Sequence, residues 1–186
     1  VHEKFTILNV LAHSVFTGFG IVIPVVALLR TSNLKKIAVK EAFVLTAVQV
    51  LRVAGILYFI LWLADTYIAM ESLQGVNAID TSNRLFGTYS FAYWFSPLMY
   101  LLLSQLFWIK KLYIKKAPLI TLALMLLILP SQRLLIIITS FHRDYLPSSW
   151  VMYQGSIVLQ VVLNIIVFIF IVFTVMLAGG KLKKVQ

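Results

Sequence analysis

Four ionisable side chains stand inside apolar runs: His13, Arg52, Asp65 and Arg133. An arginine in hydrocarbon costs roughly 3 kcal/mol or considerably more depending on the scale, so it faces a bundle interior or a water-filled cavity and is a functional candidate by default. Arg133 opens the most informative stretch, Gln132 to Trp150, which reads QRLLIIITSFHRDYLPSSW. His142, Arg143 and Asp144 follow where its apolar run stops. That order places them at a membrane surface, with Pro147 shaping the corner and Trp150 anchoring it.

The spacing of the other polar residues sets what they can do together. Asn9, His13 and Thr17 recur at four-residue steps and share one helix face, and Gly18 and Gly20 beside them allow close helix approach. Two readings of His13 stand: a packed, internally bonded imidazole, or a proton-relay or quinone-facing group whose charge changes near neutral pH. Arg52 and Asp65 lie about 20 Å apart along one helix and on different faces, so they do not pair. Arg52 and Arg133 thus share a mid-depth zone without an evident acid. Their partners are either a group outside this chain, a polar ligand head or water, or else carbonyls freed near Pro130 and the amides of Gln49 and Gln132. Asp65, with Trp62 and Tyr67, is an interfacial anchor or a carboxylate at the mouth of a proton path. Gln160 and Asn164 share a face and suit interhelical bonding.

The elements that must position these groups follow from composition. The chain has 186 residues, of which 61% are hydrophobic and 12% charged, and its mean hydropathy is +0.97. A soluble domain carries about twice that share of charge. Cysteine is absent, which excludes disulfides and thiolate-ligated metals or clusters in this chain, and the three histidines lack metal-ligand spacing. Phosphate loops, nucleophile elbows and paired-histidine zinc motifs are also absent. No residue set marks a catalytic centre. The net charge of +10 falls in short clusters between apolar runs, which fits membrane topology and not nucleic acid.

The pattern predicts an all-α polytopic membrane protein, bundle-like, with spans at about 5–29, 42–70, 89–109, 117–141 and 155–178. Residues 1–186 form one domain, and no cleavable signal pattern precedes the first run. Eleven cations then fall on one side: Arg30, Lys35, Lys36 and Lys40; Lys110, Lys111, Lys115 and Lys116; and Lys181, Lys183 and Lys184. This asymmetry sets the N-terminus outside and the C-terminus in the cytoplasm. Residues 72–84 read as the main external loop. Pro24, Pro97 and Pro130 fall inside spans, where they free carbonyls that neighbours must satisfy. Tyr89, Tyr93, Trp94, Trp108 and Trp150 suit interfacial belts.

The string Arg133 to Trp150 resembles the end of a late transmembrane helix in the large membrane subunits of bacterial alternative complex III, members of the polysulfide-reductase membrane-subunit family, also called NrfD-like. Asn83-Arg84-Leu85-Phe86-Gly87, Ala92-Tyr93-Trp94, Gln105 to Trp108 and Lys110-Lys111 resemble further family patterns in the same order. Gln132 stands where the pattern has glutamate, and Ser104 where it has proline. The resemblance implies a non-catalytic or partly catalytic inner-membrane subunit of a respiratory quinol-oxidising complex. Haem and iron–sulfur clusters would then reside in partner subunits, with quinone or lipid at the helix faces of this chain and no cofactor of its own. It implies that His142, Arg143, Asp144 and Trp150 lie where extrinsic subunits dock. It covers only the second of two helix bundles, so it implies a half-length relative or a fragment beside a complete subunit. A structural or assembly subunit without chemistry, and a small dimerising transporter, are the alternatives.

Overall fold

The computed structural model describes residues 6–72, 85–87, 90–130 and 157–180, and regular structure there is entirely helical. The helices are α1 (Thr6–Leu28), α2 (Leu34–Ser72), α3 (Ser90–Leu106), the short α4 (Lys110–Ile114), α5 (Lys116–Ile128) and α6 (Ile157–Ala178). Three are long and apolar enough to cross a membrane, through Ile7–Leu28, Leu34–Ile68 and Val158–Ala178. The expected third span is a 17-residue helix that stops at Leu106. The expected fourth begins as the 13-residue α5, and its remainder lies outside the described residues.

The α1–α2 connection is closed by side chains at both helix ends. Asn33 caps α2: its Oδ1 accepts from the Lys35 amide at 3.0 Å and its carbonyl from the Ile37 amide at 3.0 Å. Lys40 Nζ reaches back to the Ala27 and Leu29 carbonyls at 3.0 and 2.7 Å, where α1 leaves acceptors unfilled. The charged turns before residue 42 are therefore helical, which hydropathy alone does not register. Asn9 meets Asp65 at the other end, so α1 and α2 are antiparallel.

Helix α1 is the hub, packed on α2, α5 and α6. Phe16, Phe19 and Ile23 lie on its buried face, with Val48 and Leu51 of α2, Ala123 and Leu126 of α5, and Phe168 and Val172 of α6 in the same cluster. Its glycines set the spacing. A Cβ at Gly18 would fall on Phe168 of α6, and one at Gly20 would press on Leu127 and the Ala123 carbonyl of α5. By contrast α6 buries one narrow stripe and leaves Val158, Leu159, Phe170 and Phe173 exposed.

Candidate functional site

The polar groups fall at three levels along the α1–α2 pair. At the first, Asn9 Nδ2 donates to Asp65 Oδ2 at 3.1 Å. Asn9 Oδ1 is buried with no hydrogen-bond partner among the described residues. At the next residue of α2, the Thr66 and Tyr93 hydroxyls are 3.1 Å apart. Trp62 packs edge-on to Trp94 at 4.8 Å, and the Trp94 indole donates to the Leu85 carbonyl at 3.2 Å. Asp65 is thus a bond between α1 and α2, next to an aromatic clamp between α2 and α3.

At the second level, His13 is met by ring edges. Tyr58 lies 5.2 Å, Tyr100 5.7 Å and Phe16 6.4 Å from its ring centroid, each T-shaped. Phe16 stacks on Tyr100 at 4.2 Å. These are the edge and offset geometries that aromatic quadrupoles favour. The imidazole keeps one side open at the protein surface, although the rings enclose most of its near environment. On the adjoining face Ser14 donates to Asn164 Oδ1 at 2.9 Å and also to the Val10 carbonyl. Gln160, the other polar residue of that α6 face, is exposed.

The third level is the interruption after α3. Hydropathy continues through Phe107, Trp108 and Ile109, yet the helix stops, and the backbone at Ile109 is extended. The last turn of a helix leaves carbonyls unpaired and carries the negative end of its dipole. Arg52 answers both. Its Nη2 donates to the Phe107 carbonyl, and its guanidinium lies 4.8 Å from the Trp108 ring centroid and 5.2 Å from that of Tyr113. The bond is returned, since Gln105 Nε2 donates to the Arg52 carbonyl at 3.2 Å and Gln105 Oε1 accepts from the Trp108 indole at 2.7 Å. Gly55 lets the helices close, for a Cβ there would collide with Ser104. Among the described residues, no carboxylate pairs with Arg52. Its Nε alone is buried without a partner.

Ser96 Oγ donates at 2.7 Å to the carbonyl of Pro130 itself, just past the end of α5; this is not one of the carbonyls that the missing proline N–H would free, which lie a turn earlier. Of the candidate residues, His13, Arg52 and Asp65 are placed on three different contacts and do not converge. Arg133, His142, Arg143, Asp144 and Trp150 lie outside the described residues. Tyr58, Tyr100, Phe107 and Tyr113 were not singled out from sequence, because nothing local marks an aromatic whose partner is on another helix. An apolar groove of about 390 Å³ lies between α1 and α2, lined by Leu8, Val15, Val53 and Leu57 and by Val175 of α6. No His/Cys/Asp/Glu group suited to a metal is present among the described residues. No family model matches the chain, and neither a curated protein nor a solved structure matches it significantly.

Proposed function

We propose that this chain is a five-span membrane subunit, N-terminus outside and C-terminus cytoplasmic, seated in a respiratory quinol-oxidising assembly of the bacterial cytoplasmic membrane that resembles alternative complex III. Electron transfer runs through haem and iron–sulfur partners, and this chain supplies their membrane seat and a face for quinol or lipid. The observation that carries the reading is where the motif residues stand. Tyr93, Trp94, Gln105 and Trp108 come from the strings that resemble the family, and with Arg52 and Thr66 they form the α2–α3 seam. Side chains that carry out chemistry would converge on an open site; these join two helices and build a scaffold.

A second reading, a structural subunit with no part in quinol or proton handling, is favoured by the use of both Arg52 and Asp65 in helix–helix bonds. Gentle detergent purification of a tagged chain, with mass spectrometry and a haem spectrum, tests the seat in the complex. Haem and iron–sulfur subunits in fixed proportion support it, and a chain that purifies alone or as a homodimer sinks it. Quinol turnover per assembled complex in Arg133→Ala and Asp65→Asn variants then separates the two readings.

A further inference from the structure

The cations beyond the α3 interruption are arranged differently from Arg52. Lys110 and Lys111 open α4 and Lys115 and Lys116 follow it, and all four are exposed. Their segment is seated from the inside by Leu112 and Tyr113, which pack against the core. Arg30, Lys35 and Lys36 are exposed on the α1–α2 connection.

Register brings the two groups to one end. Gly20 of α1 lies against Ala123 and Leu127 of the antiparallel α5. From there α1 runs on about 12 Å to Leu28 and α5, traced back toward its N-terminus, runs about 10 Å in the same direction to Lys116, so both reach the same level. Lys40, close by, is already spent on the α1 carbonyls. Glu41 is the one acid near this rim among the described residues. Lys115 and Lys116 thus stand level with Arg30, Lys35 and Lys36, with Lys110 and Lys111 one short helix away, so among the described residues seven exposed cations crowd this end beside a single carboxylate.

We infer that this rim, centred on Lys110, Lys111, Lys115 and Lys116, binds the phosphodiester headgroups of anionic phospholipids. The reading does not depend on the respiratory assignment. Charge complementarity names the ligand's sign, and the neighbouring side chains name its source. Trp108 and Ile109, just before the lysines, and Ile114, between them, are 61%, 51% and 70% exposed. Alternation of exposed apolar and aromatic groups with cations suits the boundary between headgroup and acyl chain, where lysine stems lie along hydrocarbon and their ammonium groups reach phosphate. An acidic protein segment would leave those apolar groups unmatched. A cation close to an anionic bilayer surface strengthens association by about fivefold.

The full chain is reconstituted into an equal mixture of phosphatidylcholine and phosphatidylglycerol, re-extracted in neutral detergent, and its retained lipids are counted by mass spectrometry. Phosphatidylglycerol is expected to be enriched about tenfold over the supplied ratio, with the enrichment falling as salt is raised. Replacing all four lysines by glutamine abolishes it, and replacing them by arginine keeps it. Equal retention of the two lipids, enrichment indifferent to salt, or retention of an acidic polypeptide in place of lipid overturns the inference. The salt titration on the unaltered chain decides the matter even where the glutamine variant does not fold.

Discussion

Arg52 of α2 and the lysines around α4 stand at the same break in the chain after α3, and they use the same charge in opposite ways. Arg52 points inward and is enclosed by the Phe107 carbonyl and the rings of Trp108 and Tyr113. The lysines point outward and are exposed. Inside an apolar bundle a cation persists only where backbone acceptors and ring faces replace water. At the rim, water and headgroups supply what the protein does not. Among the described residues, the interior charges Arg52 and Asp65 hold helices together, whereas the exposed lysines around α4 face outward.

The largest expected effect belongs to Arg52. Arg52→Ala removes a charged hydrogen bond and two ring contacts and orphans a carbonyl, and is expected to destabilise the chain by about 3 kcal/mol. Arg52→Lys, with a point charge and no planar fork, recovers about half of that loss. Heat unfolding in neutral detergent, followed by circular dichroism, reads both. Two variants of equal stability to the original would break the comparison by making Arg52 dispensable. Gly55→Ala comes next. Its Cβ collides with Ser104 and pries α2 from α3, at a cost of about 2 kcal/mol. Partial recovery in a Gly55→Ala, Ser104→Gly pair would locate the effect at that seam.

Asp65→Leu tests the first level. It removes the Asn9 bond and is expected to cost about 1 kcal/mol, near the upper part of the range for polar contacts between membrane helices. An equal loss in the Asn9→Leu, Asp65→Leu double variant would show that the two act as one unit. Ser14→Ala, which loses Asn164 but leaves the apolar α1–α6 contact, is the smallest, at about 0.6 kcal/mol. A cost as large as that of Arg52→Ala would mean that the seating of α6 depends on the Ser14–Asn164 bond.

Parts of this arrangement were legible in the sequence. Apolar runs found α1, α2 and α6, and Gly18 and Gly20 announced two close helix contacts because a missing Cβ is a local property. Pro130 pointed to freed carbonyls a turn before it, but the bond found there goes from Ser96 to the carbonyl of Pro130 itself, and nothing local marks that pairing. The end of α3 was not legible, since Phe107, Trp108 and Ile109 prolong the apolar run and the group that receives the freed carbonyl stands 55 residues earlier. The ring cage around His13 was hidden for the same reason. Its walls come from α2 and α3, and a period read along α1 cannot see them.

The most direct test of the division between inward and outward charge is unfolding of two variants, Arg52→Ala and the four-lysine glutamine replacement, in neutral detergent and again with phosphatidylglycerol added. Arg52→Ala is expected to unfold at lower temperature in neutral detergent while still gaining stability from the lipid. The glutamine variant is expected to unfold like the original and gain nothing. If both variants lose the same stability and the same lipid response, the two kinds of charge are not separate, and the account is wrong.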